Sequence, residues 1–164
     1  MEAKEILNAS LVVVLFFGIL QYGYPSMRNH LGPWNNPTVL IEESESAEWA
    51  YANLPKNASF AADLFACEMI TAVAVRVCSI GGAWELADRP NERYLATERA
   101  FLTNSSQEAH RIFQEYNVTH VLFGKRTGFY AYGWKEPELS KFSDRTYFEP
   151  VFSKGKAQIL RVVQ

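Results

Sequence analysis

Cysteine is scarce: two residues in 164, Cys67 and Cys78, too few for a disulfide-built scaffold and without metal-ligand spacing. The two are read as buried small apolar residues or as one disulfide, and their number alone assigns no compartment. The three histidines, His30, His110 and His120, form no ligand pattern. Excess positive charge is missing too. Sixteen Lys and Arg against eighteen Asp and Glu give a net charge of −2, which excludes the clustered basic face expected of a nucleic-acid binder. Neither G-x-G-x-x-G nor G-x-x-x-x-G-K-[ST] occurs in the chain, so no phosphate loop is expected. No local Ser-His-Asp or Cys-His signature is present either. What remains, with 48% apolar residues, is enough to bury the core of one domain.

Charge is absent from one long stretch. Between Ile6 and Tyr24, "ILNASLVVVLFFGILQYGY" carries no charged side chain, close to the roughly 20 apolar residues that span a bilayer. Asn8, Ser10 and Gln21 sit toward its ends, and Tyr22, Tyr24 and Trp34 follow like interfacial aromatics. A membrane helix over 1–24 is expected; a buried core helix and a signal peptide are its alternatives. The acidic leader "MEAKE" and the missing small-x-small site disfavour the signal peptide. Lys4 and Arg28 balance across the span and leave orientation to other features. Asn-x-Ser/Thr triplets at Asn8, Asn57, Asn104 and Asn117, acceptors only on the extracytoplasmic side, lean outward; the last three also suit turns or caps.

Residues 25–45, rich in Pro, Asn and Ser, read as a linker, and 46–164 as an α/β domain. A helix is expected from about Ser46, with Ala47, Ala50, Tyr51 and Leu54 on one face and Pro55 ending it. Then follow a strand at 59–63, a helix at Phe65–Val75 and a strand at Val77–Ile80, a βαβ unit with parallel strands. Asp88 is expected to cap a helix with Pro90 in its first turn. Ser105 and Glu108 make a capping box for a second helix, striped by Ala109, Ile112, Phe113 and Tyr116. Thr119–Gly124 is a strand, and the last stretch forms a hairpin at Lys154-Gly155-Lys156. The expected fold is α/β in two or three layers, a mixed sheet of about five strands with a parallel βαβ core, a C-terminal antiparallel hairpin and one membrane helix in front.

Ligands of open α/β sheets sit at strand carboxyl ends. Asp63 arrives there after the first strand, Gly81 and Gly82 after the second, Gly124 to Arg126 after the third. Asp63, Glu68, Glu85 and Asp88 could bind a hard cation or an acceptor, or work as a general acid/base pair. Against this stands a structural reading: Asp63 and Asp88 cap helices, Glu68 complements a helix's positive end, and the glycines make a turn. Candidate ligand- or acceptor-binding residues are therefore Asp63, Glu68, Gly81, Gly82, Glu85 and Asp88, with none assigned to catalysis.

In order along the chain, "AEWAYANLPKNASFAADL", "VRVCSIGGAWE", "SSQEAHRIFQEYNVTHVLFG" and "YFEPVFSKGKAQILRVV" resemble the extracytoplasmic C-terminal tail of multi-spanning, polyprenyl-phosphate-dependent glycosyltransferases, including the oligosaccharyltransferase group. The resemblance runs from Ala47 to Val163, on a Trp-bearing helix ending in Pro55, Asp63, Arg76 and the "NVTHVLFG" strand. Where oligosaccharyltransferases carry Trp-Trp-Asp-Tyr-Gly, this chain has Ala61-Ala62-Asp63-Leu64-Phe65, matching only at the Asp, which implies the wider glycosyltransferase class. The resemblance implies that the catalytic acids, and any divalent metal, belong to a multi-spanning membrane portion, so that no cofactor is held here. Its implied partners are membrane lipid and a multi-spanning partner or parent chain, with the domain extracytoplasmic and assisting acceptor positioning or assembly. The alternatives are a membrane-anchored extracytoplasmic ligand- or protein-binding module and a soluble α/β enzyme whose first helix is buried.

Overall fold

A computed structural model describes residues 3–23, 39–81, 88–125 and 134–164. The chain divides into two units, 1–36 and 37–164. In the first, α1 is Ala3–Gly18, and Ile19–Gly23 continues it as a π-helical turn. Sixteen α-helical residues rise about 24 Å, short of the roughly 30 Å hydrocarbon core. Among the described residues no helix is long and apolar enough to cross a membrane, so the expected membrane helix is not found; Tyr24 and Trp34 lie outside the described residues. Leu11 to Phe17 are each more than half exposed.

The second unit is a three-layer sandwich. Its elements are α2 (Ile41–Asn53), β1 (Ser59–Ala61), α3 (Leu64–Met69, continued by a π-helical turn Ile70–Ala74), β2 (Val77–Cys78), α4 (Pro90–Leu102), α5 (Ser106–Glu115), β3 (His120–Gly124), β4 (Phe148–Lys154) and β5 (Ala157–Val162). A short 3-10 turn, Ser140–Ser143, precedes β4. The sheet runs β2-β1-β3-β5-β4. β1 is parallel to both β2 and β3, while β5 is antiparallel to β3 and β4. The mixed five-stranded sheet, its parallel βαβ part and its closing hairpin are as expected.

Both faces of the sheet are covered, which is why β3 reads as an unbroken apolar run rather than an alternating one. Val121 and Phe123 enter a core with Phe101, Ile112, Phe113, Phe142 and Phe148 under α4 and α5. Leu122 enters the other, with Ala47, Ala50, Phe60, Ala66 and Ile70 under α2 and α3. On β5, Leu160 and Val162 face the first core and Ile159 the second, the period of two that a strand imposes. At the hairpin, Gly155 takes a φ of 54°, left-handed backbone that glycine adopts at no steric cost.

Several element boundaries differ from expectation. α2 starts at Ile41 rather than near Ser46, because the Glu43 carboxylate accepts from Leu40 N at 2.7 Å and so satisfies an amide ahead of the helix. β1 and β2 are shorter than the 59–63 and 77–80 expected. Before α4 the cap position is Arg89, in left-handed backbone, not Asp88. Ser105 Oγ does accept from Glu108 N, but the Glu108 carboxylate leaves the expected box to accept from Arg99 and Thr103. That choice ties α4 to α5, and it lowers the Glu108 pKa through the Thr103 and Arg99 hydrogen bonds.

Arg76, 7% exposed, joins two helix ends. Its guanidinium donates to Ala74 O at 2.8 Å and Val75 O at 3.3 Å where α3 ends, and to Tyr51 O at 3.2 Å and Leu54 O at 2.8 Å where α2 ends. Carbonyls at a helix C-terminus lack intrahelical donors and carry the negative pole of the helix, so a planar cation with several N–H groups suits both. The clamp also holds Val75 at a φ of 52°, costly for a β-branched residue. Arg76→Met should lower unfolding free energy by about 1.5–3 kcal/mol, the range for hydrogen bonds to a charged group. Arg76→Lys, with one ammonium for two helix ends, should recover only part of it; chemical denaturation checks both, and an unchanged midpoint for Arg76→Met would refute the clamp.

Candidate functional site

The carboxyl ends of the parallel strands are where the sequence places its acids. Asp63 follows β1 and is 2% exposed. Its Oδ1 accepts from Phe65 N at 3.1 Å and Ala66 N at 3.2 Å, the two orphan amides that an N-cap aspartate satisfies. Gly81, three residues beyond β2, has a φ of 89°. A Cβ there would stand 3.1 Å from Cys67 Cβ and 3.2 Å from Glu68 Oε1, so the loop after β2 lies directly on the first turns of α3. Asp63, Glu68 and Gly81 are thus gathered around one helix. Asp88 is not among them: it is exposed and paired with Arg89 at 3.3 Å. Gly82, Glu85 and Arg126 lie outside the described residues.

The cysteines settle the alternative left open by their spacing. Cys67 on α3 and Cys78 on β2 form a disulfide, with Cα atoms 5.4 Å apart, and neither is free. The bridge fixes β2 to the helix that Asp63 caps. Cross-links of this kind persist in oxidising compartments.

One further residue of this edge was not anticipated. Glu43, on α2, is fully buried and lies over Gly124, the last residue of β3, where an added Cβ would come within 2.2 Å of Glu43 Oε1. The glycine is required there for space, since its backbone is ordinary strand. Glu43 falls in the segment read as linker, and its only sequence signal is the "IEESE" run that begins α2. Among the described residues, no group of three or more His, Cys, Asp or Glu is placed to hold a metal ion.

The opposite edge, at the amino ends of β1 and β3, holds the other polar cluster. Thr119 Oγ1 accepts from Ser59 N at 2.9 Å and donates to Ser59 O at 3.0 Å, while Ser59 Oγ donates to Asn117 O. His120 Nδ1 lies 2.8 Å from Thr119 Oγ1. With the hydroxyl proton given to Ser59 O, the ring Nδ1–H is the donor in that contact. The His120 ring stacks on Phe60, centroids 5.4 Å apart. A cavity of about 370 Å³ opens here, lined by Thr119, His120, Glu149, Arg161 and the last residues of the chain. Burial, and secondarily the Arg161 charge, push the His120 pKa down to about 4. Near Phe142, Lys141 Nζ donates to Phe101 O at 2.6 Å, and burial draws its pKa down to about 8.

No protein-family model and no curated protein matches this chain. Among solved structures, it is similar to the C-terminal globular domain of an oligosaccharyltransferase from Archaeoglobus fulgidus, with a TM-score of 0.56 and 15% identity over 76% of this chain and 99% of that one. The likeness is one of fold.

The His120 pKa makes stability pH-dependent in a defined direction. Between about 4 and 6.5 the unfolded chain carries a proton on this imidazole that the folded chain does not, so stability rises with pH across that window. Urea midpoints measured from pH 4 to 7 should therefore climb more steeply for the wild type than for His120→Gln. Parallel profiles for the two would contradict the assignment.

Proposed function

We propose that this chain is the extracytoplasmic globular domain, or a separate accessory subunit, of a membrane glycosyltransferase that uses a polyprenyl-phosphate-linked sugar donor. It assists acceptor positioning or assembly, while the bond-making residues and any divalent metal belong to a multi-spanning membrane portion. The observation that carries this reading is the fold shared with nearly the whole C-terminal globular domain of an oligosaccharyltransferase. The disulfide supports an oxidising, extracytoplasmic setting.

The carboxyl-end residues favour support over catalysis. Asp63 is occupied by two helix amides, Gly81 packs on Cys67 and Glu68, and the cysteines are spent on a cross-link. A carboxylate that already accepts two backbone hydrogen bonds as a helix cap is fixed in place, which suits a frame better than proton transfer. Membrane attachment through the first unit belongs to the same proposal. Its helix presents Leu, Val and Phe all round, at 50–67% exposure from Leu11 to Leu20, and a helix apolar on every side needs a cover of lipid or protein.

The test is affinity purification of the tagged full chain from its native membranes in mild detergent. A multi-spanning membrane protein should co-purify, and the complex should transfer sugar from a lipid-linked donor. Recovery of a monomeric chain alone, without detergent dependence, would refute the proposal and favour a free-standing binding module.

A further inference from the structure

Three acceptor triplets share one arrangement in the folded domain. Asn57, Asn104 and Asn117 are all exposed. The hydroxyl two residues beyond each asparagine is, in contrast, held by the fold. Ser59 Oγ donates to Asn117 O. Thr119 Oγ1 accepts from Ser59 N and donates to Ser59 O. Ser106 Oγ, in the first turn of α5, donates to Lys141 O at 3.0 Å. The first and third triplets therefore lock one another: the hydroxyl of each bonds the backbone of the other, and this clasp is where β1 enters beside β3. The middle residues Ala58 and Val118 are buried, at 3% and 7% exposure.

A triplet that demands Ser or Thr at its third position is one whose hydroxyl the transferase reads. In this fold the asparagine is exposed, while the hydroxyl that identifies it is only partly buried but already committed to a hydrogen bond within the domain. We infer that Asn57, Asn104 and Asn117 are N-glycan acceptors of the chain before it folds, and that folding closes all three. In the transfer, the side-chain amide nitrogen loses a proton to a base of the transferase. It bonds the anomeric carbon of a sugar whose bond to the oxygen of a polyprenyl phosphate breaks, the lipid phosphate leaving. Glycans added early are accommodated, because each asparagine is exposed in a turn or loop. Asn57 and Asn117 would carry theirs on the rim of one cavity of about 440 Å³ that both line.

The competing reading is that these residues serve the turns alone. Asn117 has a φ of 54° just past α5, a position where asparagine is favoured without any glycan. The in-cell relevance of the inference rests on the extracytoplasmic placement proposed above, but its test does not. Purified full-length chain, folded and oxidised, is incubated with a detergent-solubilised oligosaccharyltransferase and a lipid-linked oligosaccharide. The Leu122→Asp chain, unfolded by a charge at a fully buried position in β3 and verified by circular dichroism, is treated alongside. Mass spectrometry, with Asn→Gln variants to assign each site, should find all three asparagines modified in the unfolded chain. Modification of the folded chain should be slower by about a hundredfold or more, since native domains are open only about one part in a thousand or less of the time. Comparable modification of both chains would overturn the closure. Modification of neither would overturn the assignment of these triplets as acceptors.

Discussion

β1 is three residues long, yet both parallel pairings of the sheet pass through it. A strand so short contributes little pairing of its own, so its place is fixed from its two ends. At the amino end, the Thr119 hydroxyl bridges both backbone groups of Ser59. At the carboxyl end, Asp63 turns the chain directly into α3 by taking up two of that helix's amides. Between them Phe60 faces one core and Ala61 the other. Remove either end, and the strand that joins β2 to the β3-β5-β4 part of the sheet loses its register.

The remaining devices extend that hold outward. The Cys67–Cys78 bridge fastens β2 to α3, and Arg76 fastens the end of α3 to the end of α2. On the far face, Glu108 and Lys141 bind α4 to α5 and to the chain before β4. Long-range pairing of parallel strands is slow and exposes edges while it forms. A disulfide spanning only eleven positions stabilises such a unit chiefly by restricting the unfolded chain.

The order of elements was legible in the sequence because local signals there agree with the fold. Ser105 before a strong apolar stripe, Pro90 in a first turn and Gly155 between two strands each ask for the structure that forms. The parts that were not legible depend on long-range contacts. Glu43 lies in a stretch whose Glu and Ser content reads as linker, and only its burial over Gly124 makes it part of the domain. Asp88 has the composition of a cap, but Arg89 takes that position in left-handed backbone. Arg76 stands out as the one charge between Glu68 and Glu85, although nothing local says that it reaches carbonyls of α2. At the site, the rival readings of Asp63 were both visible, and the distances to Phe65 N and Ala66 N show the cap. The apolar run of the first unit was plain, whereas the sixteen-residue limit of its α-helix was not.

The central claim is that the strand-end acid belongs to the frame. Asparagine caps a helix about as well as aspartate, and alanine not at all. Unfolding free energies of Asp63→Asn and Asp63→Ala, measured by chemical denaturation, separate the two roles. The account predicts a small loss for Asp63→Asn and a further loss of about 1 kcal/mol for Asp63→Ala. If both variants were as stable as the wild type, Asp63 would be no part of the frame, and the account would be contradicted.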